Sequence, residues 1–176
     1  MEISIIVWCL ILCAFFSGME IAFVSSNKIY LEIEKKQDNY ISRILSKLTE
    51  KPSKFIAAML IGNNIALVLY GFFMGDLVMI WIENLGFHFS AFWNVLLQTL
   101  ISAILILATA DFLSKVFFQI YANILIKVFA IPAYGFYLLF YYISSFIIWV
   151  SDIILIKFFK TQGDQGSLYF SKAELG

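Results

Sequence analysis

FIAAMLIGNNIALVLYGFFMGDLVMIWI, residues 55–82, decides what kind of molecule this is. A run of this length spans ~40 Å as a helix, at ~1.5 Å per residue, more than the ~30 Å hydrocarbon core of a bilayer. Its oddity lies near the start. Ile61-Gly62-Asn63-Asn64 places two adjacent carboxamides inside an otherwise greasy helix. An unsatisfied polar group in hydrocarbon costs several kcal/mol, so the pair needs partners.

The rest of the chain agrees with a membrane setting. Of its 176 residues, 62% are hydrophobic and 14% charged, and the mean hydropathy is +0.90. A soluble domain is nearer half apolar and a quarter charged. The long runs do not alternate in polarity, which excludes a transmembrane barrel. Nothing interleaves basic and aromatic residues as a nucleic-acid surface would. Cys9 and Cys13 have neither a CxxC spacing nor a histidine cluster beside them, so they read as small apolar side chains rather than a zinc or redox site. The segment after Met1-Glu2-Ile3 has no positive start and no cleavage site, so a retained first span is expected rather than a signal peptide.

Upstream of the asparagines, the first span covers about residues 3–26 and carries Ser17, Gly18 and Glu20 in its second half. Ser17 and Glu20 are three apart and share a face. Residues 27–54 hold seven basic residues, Lys28, Lys35, Lys36, Arg43, Lys47, Lys51 and Lys54, against Glu32, Glu34, Asp38 and Glu50. Apolar residues recur there at helical spacing, which predicts amphipathic helices on the cytoplasmic surface of the membrane. Pro52 suits the start of the second span, about 55–82. The loop 83–91 lacks Lys and Arg, as expected outside, and its His88 reads as an interfacial residue.

Downstream, the third span is expected over about 92–126, with Gln98, Thr99 and Ser102 in its outer half and Asp111, Ser114 and Lys115 further in. Segment 133–160 is long enough to cross. However, Lys127 lies at one end and Lys157 and Lys160 at the other, and one crossing cannot put both ends inside. The pattern favours a juxtamembrane helix on the cytoplasmic side over a fourth span. Residues 161–176 turn polar and read as a linker towards a cytoplasmic region that is not in this chain. The expected architecture is therefore all-α, with three transmembrane helices, amphipathic juxtamembrane helices, the N-terminus outside and the C-terminus cytoplasmic.

With that topology, Ser17 to Glu20, Gly62 to Asn64 and Asp111 all fall ~10 to 15 Å from the cytoplasmic edge. Hydroxyl, carboxamide and carboxylate are hard oxygen donors, suited to Mg²⁺, Ca²⁺ or Na⁺ rather than zinc or copper. A mid-membrane carboxylate costs ~2.5 to 3.5 kcal/mol on insertion scales, so it is paired or functional. The plainer alternative pairs Asp111 with Lys115 and leaves Asn63 and Asn64 as hydrogen-bonding glue between helices. No nucleophile–base pair or histidine metal set points to an enzyme.

At these residues the sequence resembles the transmembrane domain of the CNNM/CorC magnesium transporters. Phe16-Ser17-Gly18-Met19-Glu20-Ile21-Ala22 looks like the family's Phe-Ser-Gly-x-Glu-x-Ala. Ile61-Gly62-Asn63-Asn64 looks like its Gly-Asn-x motif, and Ala110-Asp111-Phe112-Leu113-Ser114-Lys115 is similar to its Gly-Glu-x-x-Pro-Lys. The match covers about residues 1–160. It implies a plasma-membrane (inner-membrane) homodimer that moves Mg²⁺ outward in exchange for Na⁺, with cytoplasmic CBS and CorC-type domains in full-length members. Carried over, the metal ligands are Ser17, Asn63 or Asn64, and Asp111, with Glu20, Gly62 and Ser114 behind them. The third motif departs from the family at Ala110, Asp111 and Ser114. Those departures raise the alternative of a non-transporting membrane anchor or regulatory module, like relatives associated with gliding motility.

Overall fold

The computed structural model describes residues 1–86 and 89–159, with the side chain of Phe159 excepted; His88, Lys160 and the expected linker 161–176 lie outside the described residues. Helix α1, Glu2–Ser25, is the hub. It packs against α4 (Pro52–Asn84), against a π-helical segment (Leu107–Leu113), and against α6 (Ser114–Ile120) and α7 (Ala122–Val128). Helix α5, Ala91–Ile106, runs directly into the π segment and α6, forming one rod from Ala91 to Ile120. Helix α4 does begin at Pro52, whose missing N–H costs nothing in a first turn.

Between α1 and α4 lie two short helices with a polar and an apolar side. Helix α2, Lys28–Lys35, is capped by Asn27, whose side chain accepts from the backbone N–H groups of Ile29 and Tyr30. Helix α3, Tyr40–Glu50, opens with a reciprocal box between Asn39 and Ser42. Leu31, Ile44, Leu45 and Leu48 are buried from this side. The buried carboxylate of Glu34 pairs with Lys127 of α7, tying the charged loop to the later helices.

Beyond Ile120 the third rod stops. Tyr121 leaves helical geometry (φ −104°, ψ 25°), and α7 meets α8, Ala130–Leu139, at a 65° bend. Segment 133–160, expected as one helix, divides at Phe140 into α8 and α9 (Tyr141–Phe159). Helix α9 packs on α4. Four helical stretches among the described residues are long and apolar enough to cross a membrane: Glu2–Ser25, Pro52–Asn84, Ala91–Ile120 and Tyr141–Phe158. The bent pair α7–α8 makes a fifth if its halves count together. Every element among the described residues is helical, and the length and hydropathy of the helices make this a multi-pass membrane protein.

Among the described residues, two clusters form the core. The larger gathers Phe16, Met19 and Ala22 of α1, Phe55, Ala58 and Met59 of α4, Phe118 of α6, and Ile126, Ala130 and Tyr137 further on. The second lies towards the other end of α1, where Ile6, Cys9 and Cys13 meet Ala66 and Tyr70 of α4 and Ile106 and Ala110 of the third rod. Two glycines permit this closeness. Gly62 lies under the Phe16 ring, whose Cε1 would be 2.6 Å from an added Cβ, and Gly18 lies under the ring of Phe118. Ser17 falls on α1 between Cys13 of the second cluster and Met19 of the larger one.

Candidate functional site

Ser17 is 2% exposed, on the face of α1 that turns towards the third rod. Its Oγ donates to Asp111 Oδ1 at 3.0 Å. The Lys115 ammonium reaches the same oxygen at 3.0 Å from one turn further along. Both contacts fall on Oδ1, which leaves the second carboxylate oxygen to other donors or to an ion. Asp111 and Lys115 are half exposed, with 38% and 46% of their side chains accessible. The carboxylate thus sits at an open edge of the helix packing rather than sealed in the core.

Local backbone geometry positions Asp111. It lies inside the π segment, where the helix widens by a residue per turn and the regular i to i−4 ladder is interrupted. Such segments aim side chains and free carbonyl groups that an α-helix would hide. The backbone N–H of Ser114 restores tighter geometry by bonding to the Asp111 carbonyl. The Ser114 hydroxyl donates across to the Ala14 carbonyl at 2.5 Å, clamping α6 onto α1. Thr109, also in the π segment, bonds back to Leu105. The segment contains neither Gly nor Pro, so its sequence gives no sign of the break.

The other sequence-selected residues take different positions. Glu20 is half-buried one turn from Ser17. Gly62, Ala66 and Tyr70 are buried at four-residue intervals, and Gly62 meets Phe16 of α1. Asn63 is half-buried on the flank of that stripe. Asn64 is about 200° around the helix from Gly62 and is exposed. Within one chain, therefore, Ser17 and Asp111 meet, Asn63 lies beside the α1–α4 seam, and Asn64 points away from it. No group of three or more His, Cys, Asp or Glu suited to a metal occurs among the described residues. Any ion here would rest on Asp111 and neutral oxygens, with Glu20 a second carboxylate close enough to interact with Asp111 and Lys115.

The family profile described as "Cyclin M transmembrane N-terminal domain" (CNNM) matches residues 4–176. A protein of Haemophilus influenzae described as "UPF0053 protein" is 39% identical over 61 residues. That match covers 35% of this chain and only 14% of the relative, so most of the relative has no counterpart here.

Proposed function

The chain belongs to the CNNM family of transmembrane domains, which is associated with Mg²⁺ transport, and from that premise we propose that it carries Mg²⁺ across the membrane through the Asp111 site. The observation that supports this most is the convergence of Ser17, Asp111 and Lys115 at a π-helical turn beside the α1–α4 seam. A carboxylate in the membrane needs a positive partner. Lys115 is the resident one, and a divalent ion is a competitor for the same oxygens. Binding then means that the ammonium swings away while Asp111 and Ser17 stay. Mg²⁺ keeps several of its waters and takes one or two carboxylate oxygens, so Asp111 with Ser17 and Asn63 of the same chain is a sufficient donor set. Na⁺ accepts the same neutral oxygens at half the charge, which suits it as the exchanged ion.

Asn64 gives the reading its second half. A carboxamide on the outer face of a membrane helix seeks a partner beyond its own chain. We assign that partner to a second copy, giving a homodimer in which α4 faces its equivalent. The basic loop 27–54 then lies in the cytoplasm, the N-terminus lies outside, α8–α9 stays on the cytoplasmic side, and residues 161–176 are a linker towards CBS-type domains of a longer chain. A second reading rests on the 3.0 Å Asp111–Lys115 pair. A carboxylate already neutralised is compatible with a membrane anchor that moves nothing. Titration of Mg²⁺ into purified protein separates the two. The transport reading predicts binding that Asp111→Asn removes; the anchor reading predicts no binding to either protein.

A further inference from the structure

The outer half of the α4–α5 seam contains polar atoms that the Asp111 site does not use. On α5, Asn94, Gln98 and Ser102 recur every four residues, forming one stripe ~12 Å long. Its lipid-facing neighbours Val95 and Ile104 are exposed, so the stripe is the side that turns inward. Gln98 lies across Gly75 of α4, where a Cβ would collide with its amide. Tyr70 of α4 is 2% exposed and donates to the Ser102 carbonyl at 3.2 Å. Ser102 itself is 8% exposed, and its hydroxyl has no hydrogen-bond partner; the buried Oδ1 of Asn94 has none either.

Two partnerless buried oxygens, Asn94 Oδ1 in the first turn of α5 and Ser102 Oγ further in, cost too much to leave dry, since each loses its hydration for nothing. Water resolves the cost where a cleft is polar and each molecule finds several partners. The stripe leads inward from the end of the seam near Ala91. Below Ser102 it reaches Ile106 and Ala110, which pack with Ile6, Cys9, Cys13, Ala66 and Tyr70 as a dry plug. Asp111 follows directly. The order along the rod is therefore polar seam, apolar plug, carboxylate.

We propose that this seam is a hydrated outer vestibule, through which a cation released from Asp111 leaves once the plug opens. The inference rests on the cation-carrying reading of Asp111. Neutral amide and hydroxyl oxygens suit a cation that keeps its water shell, because they replace outer-sphere water without trapping charge. The plug supplies the barrier that an alternating-access device needs between its two half-paths.

Thiol accessibility tests the vestibule directly. Gln98→Cys and Ser102→Cys are placed singly in the full chain, with Ile104→Cys as the lipid-facing control and the parent as the blank for buried Cys9 and Cys13. A cationic, membrane-impermeant methanethiosulfonate is added from the side bearing residues 84–91. The expected result is labelling about tenfold faster at 98 and 102 than at 104, because a thiol reacts as a hydrated thiolate, and slower labelling when Mg²⁺ is present. Equal rates at 102 and 104 would overturn the proposal, leaving the stripe as glue between helices. Fast labelling indifferent to Mg²⁺ would also overturn it, since the water would then carry no cation. Gly75→Ala gives an independent check, because displacing Gln98 should change labelling at 102 without touching the Asp111 site. Loss of Mg²⁺ affinity in Asp111→Asn is scored separately, so failure of the vestibule and failure of the Asp111 reading give different patterns.

Discussion

Ser17 and Asp111 are 94 positions apart in the chain, and the serine hydroxyl donates to the carboxylate at 3.0 Å. The contact joins the first span to the third at the widest turn of the latter. If the pair forms a cation site, its two members should contribute unequally. Asp111→Asn removes the carboxylate that meets Ser17 and Lys115 and should abolish measurable Mg²⁺ binding. Ser17→Ala removes one neutral donor, worth about 1 kcal/mol, and should weaken binding several-fold. Calorimetric titration of both variants checks the ranking. Equal, negligible effects would mean that ions bind elsewhere or not at all.

Lys115 separates the transport reading from the anchor reading. As a resident counter-ion it opposes cation entry, so Lys115→Met should tighten Mg²⁺ binding while lowering thermal stability in Mg²⁺-free buffer. Added Mg²⁺ should then restore the melting temperature, since a ligand that binds the folded state stabilises it by mass action. An anchor would lose stability with no recovery.

Packing around Gly62 makes a structural prediction independent of ions. A methyl group there would approach Phe16 Cε1 to 2.6 Å, so Gly62→Ala should destabilise the α1–α4 pair by about 1–3 kcal/mol. Phe16→Leu in the same chain should recover part of that loss. Thermal unfolding in detergent of the single and double variants measures the coupling.

Exposure of Asn64 bears on assembly. If a second copy covers this face, Asn64→Cys should cross-link between chains under mild oxidation, and Val24→Cys, exposed at the end of α1, should not. Denaturing gels without reductant give the answer. Cross-linking at both positions, or at neither, would remove the support for pairing through α4.

Much of the frame was readable in advance because it depends on composition and period. Long apolar runs, Pro52 at a helix start and the charged loop need only hydropathy and turn chemistry. The Ser17–Asp111 contact was accessible through depth, because the rise per residue puts both at one level. Rotation around each helix was harder. Depth alone grouped Asn64 with Asp111, yet the stripe Gly62, Ala66 and Tyr70 turns Asn64 to the opposite side. The small residues at 62 and 66 carried that signal. The π segment was not legible. Residues 107–113 have ordinary helix-compatible side chains, and the widening accompanies long-range contacts such as Ser114 to the Ala14 carbonyl and Phe118 over Gly18. The division of 133–160 at Phe140 has no Gly or Pro to mark it; it coincides with packing of α8 on α3 and of α9 on α4.

The central claim is that Asp111 exchanges Lys115 for a divalent cation. Anomalous diffraction from crystals grown with Mn²⁺, which takes Mg²⁺-like octahedral oxygen sites, tests it most directly. The account predicts a peak at bonding distance, about 2.0–2.2 Å, from an Asp111 carboxylate oxygen, with the Lys115 ammonium moved away. An empty map at Asp111, with Lys115 still 3.0 Å from Oδ1 as it stands here, would contradict it.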